Sequence, residues 1–259
     1  MKTNFHTHNY RCKHAKGNVE DYVKVAIREG YTELGISDHA PFPEYYSSSG
    51  RMEVEEFEGY LKEIEEAREK YKNQIKIYKS VEIEYFPEAS EYYRDLREKL
   101  DYIVLGLHSF RIDENTKNYN TGWSVENDGH VLAYGKYMAE AIASGYFDYV
   151  AHPDLYMVNY KNWTEACEKS THIICRAAEK YKIPLEVNAN GIRKTLSRSP
   201  GRLRYFYPYR EFWEIVAEYD IPVIIGSDTH NYEQMEDEAM ELAREFAAEL
   251  NLKVIDTIF

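Results

Sequence analysis

Short apolar runs of β character alternate with helical runs along the whole of this 259-residue chain, and that alternation leaves few folds open to it. Strands are expected at 2–6, 33–37, 75–83, 101–107, 147–151, 184–188 and 221–226. Helices are expected at 19–29, 53–71, 88–99, 128–144, 163–181, 208–219 and 232–250. Asn18 before Val19, with Asp21 three residues on, and Thr164 before Glu165 are helix starts, and Gly30 after Glu29 is a stop. Longer connections remain at 40–52, 109–127 and 189–207, the last holding Arg193, Lys194, Arg198, Arg202 and Arg204. No composition shift or Gly/Ser linker divides the chain, so one barrel-like α/β domain over residues 1–259 is the simplest assembly.

In a β/α barrel the chemistry sits at the C-terminal ends of the strands, so what ends each run is informative. The runs end in His6-Thr7-His8, Ser37-Asp38-His39, Glu82-Ile83-Glu84, Gly106-Leu107-His108, Ala151-His152-Pro153-Asp154 and Gly226-Ser227-Asp228-Thr229-His230. Side chains alternate with period two, so a His-x-His pair sends both rings to one side. A lone histidine is ordinarily a hydrogen-bonded core or surface residue. Here seven of the nine histidines fall at or just after strand ends, which points to a metal cluster. His130 and His172 lie in helical stretches and are read as structural.

The formal charge of -13 argues against a nucleic-acid backbone as partner, because such binding needs a basic face. No stretch approaches the roughly 20 apolar residues of a membrane span, and no apolar run follows a basic start, so a cytoplasmic, unanchored protein is expected. Cys12, Cys167 and Cys175 are too few and too scattered for a disulfide framework, and Cys12 is read as a packed thiol.

The ordered set His6-Thr7-His8, His14, Ser37-Asp38-His39, Val81-Glu82, Gly106-Leu107-His108, Ala151-His152-Pro153 and Gly226-Ser227-Asp228-Thr229-His230 resembles the motifs of the PHP (polymerase and histidinol phosphatase) family. Leu185-Glu186-Val187-Asn188, Gly191-Ile192-Arg193-Lys194 and Tyr207-Pro208 are similar to its histidinol-phosphatase branch. The resemblance implies an α/β fold, a distorted (β/α)7 barrel of TIM-barrel type. It implies three divalent metal ions, zinc, iron or manganese. His6, His8, Glu82 and Asp228 would hold the first, Glu82 with His108 and His152 the second, and His14, His39 and His230 the third.

Glu82 is taken as the bridge over Glu84 because it follows the apolar run, although both point to one face. Asp38 and Asp154 are read as orienting His39 and His152. Asp38, Glu82 and Asp228 are the carboxylates assigned to the catalytic centre, with Asp38 or a metal-bound water as the general acid. Arg193 is the expected phosphate clamp, with Lys194 and Arg11 adding positive charge. The implied reaction is hydrolysis of L-histidinol phosphate to L-histidinol and phosphate, a step of histidine biosynthesis. The alternatives are another small phosphate ester or a nucleotide as substrate, and a non-catalytic metal-binding scaffold. Acidic groups in 40–52 and 109–127 are the candidates for recognising the histidinol imidazole and amine.

Overall fold

The computed structural model describes residues 1–42, 50–112, 119–198, 201 and 204–259. The strands are β1 (Thr3–Asn4), β2 (Glu33–Ile36), β3 (Lys76–Lys79), β4 (Glu82–Ile83), β5 (Val104–Gly106), β6 (Ser109–Arg111), β7 (Tyr119–Thr121), β8 (Tyr149–Ala151), β9 (Leu185–Asn188) and β10 (Val223–Gly226). The helices are α1 (Val19–Arg28), α2 (Phe57–Tyr71), α3 (Ser90–Lys99), α4 (Asp128–Ala143), α5 (Glu165–Tyr181), α6 (Ala189–Arg198), α7 (Arg210–Val216) and α8 (Glu238–Glu249). Among the described residues, no helix is long and apolar enough to cross a membrane.

Two parallel sheets face one interior, β1-β2-β3 and β10-β9-β8-β5-β4. Single bridges join them where the strands end: Thr7 with Thr229, and His39 with Glu82. The first join is reinforced by Asp228 N–H donating to His6 O (2.9 Å) and His8 N–H to Thr229 O (3.0 Å). In the second, Ala40 N–H donates to Glu82 O (2.9 Å). The expected strand 75–83 is therefore one run bent between two sheets, β3 pairing with β2 and β4 with β5. The bend has a side-chain cause. The Tyr60 hydroxyl, from α2, lies 2.9 Å from Ile36 O and 2.7 Å from Ser80 O and accepts from Asp38 N–H (3.1 Å). It takes over Asp38 N–H and Ser80 O, which a continuous ladder would have paired, while Ile36 O still accepts from Ser80 N–H (2.9 Å).

Two expected connections carry structure of their own. Residues 109–127 include the antiparallel ribbon β6–β7. Residues 189–207 open with α6, which follows β9 without a connecting residue. Residues 43–49, 113–118 and Arg202 lie outside the described residues. Of the helix starts, Asn18 forms a reciprocal box with Asp21 (3.0 and 2.9 Å), whereas the Thr164 hydroxyl donates to Asp128 (2.8 Å) in place of capping α5.

The N-terminal half of the interior is filled by Phe5, Tyr78, Tyr102, Val104, Tyr149, Ala151 and Ile224. Tyr102 and Tyr149 donate to Phe5 O (2.6 and 3.0 Å), so their hydroxyls are satisfied inside an apolar plug. Buried tyrosines of this kind account for part of the chain's 25. With the lower half closed, polar side chains gather in the upper half.

Candidate metal centre

His6 and His8 leave the end of β1 on one side, ring centroids 5.1 Å apart. Each is oriented from behind: His6 Nδ1 lies 2.8 Å from Glu186 Oε1, and His8 Nδ1 lies 3.3 Å from Asp38 Oδ1. A carboxylate on Nδ1 draws the proton there and leaves Nε2 as a bare lone pair. Both Nε2 atoms are buried without a hydrogen-bond partner among the described residues. Such orphaned lone pairs fit a cation.

Glu82 stands at the centre. Its Oε2 faces His39 Nδ1 (3.1 Å), His8 Nε2 (3.5 Å) and His6 Nε2 (3.6 Å), while Oε1 faces His152 Nε2 (2.9 Å) and His108 Nε2 (3.6 Å). One oxygen toward each histidine group is the arrangement of a bridging carboxylate. Asp228 Oδ1 lies 3.1 Å from His8 Nε2, and its Oδ2 accepts from Asn188 and Asn190 (both 3.1 Å). His14 stacks on His230 at 4.6 Å and His8 on His230 at 4.2 Å. The ligand atoms of three triads each lie within 4.8 Å of one another: His6, His8 and Asp228; His39, Glu82 and His108; His8, His39 and His230.

The electrostatics agree with the geometry. Burial works to raise the Glu82 carboxyl, yet His108, His6 and His39 hold it well below the usual range. Asp228 is likewise lowered against burial, by His6 and His8. His8 rises to about 9 despite burial, through Asp228 and Asp38. These carboxylates demand positive charge, and divalent cations can supply it in place of imidazolium protons. Burial lowers His39 to about 4 and also lowers His14 and His230, leaving neutral rings with free lone pairs. His152 and Asp228 sit at φ 31° and 45°, a left-handed region that non-glycine residues seldom adopt. The donor set therefore fits metal.

Two glycines make room for this arrangement. A Cβ at Gly106 would lie 2.2 Å from Glu82 Oε1, and one at Gly226 would lie 1.7 Å from Glu186 Oε1. Gly226→Ala is expected to cost about 1–3 kcal/mol by overpacking, seen as a fall in the thermal midpoint. An unchanged midpoint would mean that Glu186 moves freely.

A model of the PHP domain family matches residues 4–190. This chain belongs to that family. Relatives of the PHP chain include the "Probable histidinol-phosphatase" of Deinococcus radiodurans, 25% identical over 237 residues, which cover 87% of this chain and 85% of the relative. The histidinol-phosphatase of Bacillus subtilis is 24% identical, with 89% and 94% covered. Histidinol phosphate phosphatase from Lactococcus lactis, solved with zinc, L-histidinol and phosphate, superposes with a TM-score of 0.74 at 14% identity, over 98% of this chain and 95% of its own. At that identity the likeness is one of fold.

The PHP centre opens into a cavity of about 240 Å³, whose lining includes Glu84, Arg51, Lys194, Trp123 and Asn190. Lys194 Nζ lies 5.3 Å from the Trp123 ring centroid, and burial lowers its ammonium pKa against the pull of Asp228. Several sequence expectations need correction. Arg193 is not at the cavity: its Nε and Nη2 donate to Asp237 (2.7 and 3.0 Å), Nη1 to Ser227 O (3.0 Å) and Nη2 also to Gln234 O (3.1 Å). Arg11 is turned into the body of the protein, 2.6 Å from Glu63 and over the rings of Tyr10 and Tyr60.

Asp38 meets the His8 ring and accepts from His39 only at the backbone N–H (2.8 Å), and it does not line the cavity, so it is not placed to act as general acid. Asp154 accepts from Tyr209 N–H and Trp213 Nε1 (3.1 Å) in place of His152, whose Nδ1 has no hydrogen-bond partner among the described residues. Burial raises the Asp154 carboxyl to about 7. Cys12 is buried, donates to Asn9 O (3.1 Å), and has its thiol pKa pushed up by burial. His130 and His172 sit outside the centre, the latter against the Tyr219 hydroxyl (2.8 Å). Glu186, Arg51, Trp123 and Asn190 are site residues to which the sequence reading gave no role.

Proposed function

We propose that this protein is a metal-dependent phosphomonoesterase that hydrolyses L-histidinol phosphate to L-histidinol and phosphate. The observation that carries the reading is Glu82, buried between two histidine groups with one oxygen toward each, at the floor of a cavity with a lysine on its wall. The relatives named histidinol-phosphatase align along 85% and 94% of their own length, which supports the substrate.

Three divalent ions would share the donor set. His6, His8, Glu82 and Asp228 would hold one, Glu82, His108 and His152 a second, and His14, His39 and His230 a third. When bound, such ions activate water and neutralise phosphoryl charge. Around them the chain's own residues do the positioning. Glu186 and Asp38 fix the rings of His6 and His8, and Asn188 and Asn190 hold Asp228 by its second oxygen. Lys194 reaches the phosphoryl oxygens from the wall.

The deciding assay is phosphate release from L-histidinol phosphate beside nucleotides and sugar phosphates, with His8→Ala as control. Preference for L-histidinol phosphate, lost in the control, is expected. Preference for another ester would overturn the substrate, and no turnover at all would favour a scaffold. Lys194→Met should raise KM for the ester by about 10–100-fold, the loss of one charged hydrogen bond. Arg193→Met should leave KM in place and instead cost about 2 kcal/mol of stability, because its hydrogen bonds are internal. A reversed pattern would restore Arg193 as the clamp.

A further inference from the structure

Glu84 follows Glu82 by two residues, so both side chains leave the chain on the same side, about 6–7 Å apart along it. Glu84 is buried and lines the cavity. Its Oε1 accepts from Arg51 Nη2 (2.8 Å) and lies 3.2 Å from His108 Nδ1. Its Oε2 is buried with no hydrogen-bond partner among the described residues. A buried carboxylate oxygen is ordinarily paired, and one left bare on a residue that lines a ligand cavity asks for a donor. Arg51 engages Oε1 alone through Nη2, with Nη1 turned to Ala40 O (2.9 Å), and leaves the second carboxylate oxygen to another donor.

The substrate proposed above carries two unlike charges, an anionic phosphate and, on the carbon next to the ester carbon, a protonated amine. With the phosphate over Glu82, a donor a few bonds from the ester oxygen falls at the distance of Glu84. The imidazole lies further along the molecule. Resting on the function proposed above, we infer that Glu84 sets specificity, its Oε2 accepting a hydrogen bond from the protonated amine of a phosphate monoester. Lys194 and Glu84, which line the same cavity, then match the two ends of a zwitterion.

The test is Glu84→Gln in the metal-loaded protein, with metal content measured on both forms. Glutamine keeps a carbonyl oxygen for Arg51 and His108 and puts an amide N–H, a donor, where Oε2 accepted. Turnover is compared on L-histidinol phosphate, O-phosphoethanolamine, which has the amine without the imidazole, and p-nitrophenyl phosphate, which has neither. The kcat/KM of both amine esters should fall by about 10–100-fold relative to p-nitrophenyl phosphate at equal metal content. An equal fall on all three would overturn the inference and leave Glu84 as a support of His108. A relative fall on L-histidinol phosphate alone would also overturn it, in favour of the imidazole. Wild-type protein that hydrolyses the other esters but not L-histidinol phosphate would sink the proposed function, while the ratio of O-phosphoethanolamine to p-nitrophenyl phosphate would still decide Glu84.

Discussion

Glu82→Gln should reduce phosphate release by about 10³-fold or more, since a metal centre contributes several kcal/mol of charge stabilisation and each 1.36 kcal/mol is tenfold in rate. The substitution is nearly isosteric, so packing is preserved and only the charge and one acceptor are lost. At this position both losses fall on the cluster. Oε1 and Oε2 face five imidazoles between them. An amide nitrogen in place of either oxygen would point a donor at a site built to receive a cation. Kinetics should therefore be read beside elemental analysis: activity and bound metal are expected to fall together. A glutamine variant that keeps its metal and retains activity within tenfold would show that Glu82 is a bystander and that the two histidine groups act separately. Glu84→Gln is the internal comparison, being the same chemical change two residues away, on a carboxylate already paired with Arg51.

The contrast between these two glutamates shows what a sequence can carry. The ligand types were legible because strand ends concentrate them, and the period-two rule places His6 with His8 and Glu82 with Glu84. The supporting residues were not, because they depend on which strand lies beside which. Asp38 adjoins His39 in the chain, but β1 is one of the two parallel neighbours of β2, which it follows, and its carboxylate meets His8. Glu186 lies mid-strand in β9 and reads as an ordinary inward position until β10 is placed alongside and Gly226 is seen to leave it space.

Arg193 went astray for a related reason. Residues 189–207 read as a connection following a strand end, and an arginine in such a loop is expected to face the site. In the fold Gly191 belongs to α6, where a Cβ would lie 2.2 Å from Tyr207 O. That glycine serves close packing, and the helix it belongs to turns Arg193 toward Asp237 and Lys194 toward the cavity. The bent strand is similar: nothing in residues 75–83 announces a break, because the break is made by Tyr60 from another element.

Removing metal should destabilise the fold as well as silence it. Cations that bind only the native state add RT ln(1 + [L]/Kd), about 4 kcal/mol per site when free metal is near 1,000 times Kd. For a chain of this size each kcal/mol moves the midpoint by roughly 2–4 °C, so one site accounts for about 8–16 °C between metal-loaded and chelated protein. Glu186 gives this prediction a second arm. It fixes the His6 ring through Nδ1 while its other oxygen accepts from Asn188 (2.6 Å) and His152 N–H (3.2 Å). Loss of such an orienting group typically weakens metal binding by about 10–100-fold, which is about 1.4–2.8 kcal/mol of the metal's contribution. Glu186→Gln should therefore narrow the gap between the loaded and chelated midpoints, in addition to any lowering of both. The gap separates the two roles: a residue that merely fills space shifts both melts equally, whereas one that aims His6 at a cation changes their difference. An unchanged gap would reduce Glu186 to packing and leave His6 to be held by the metal alone.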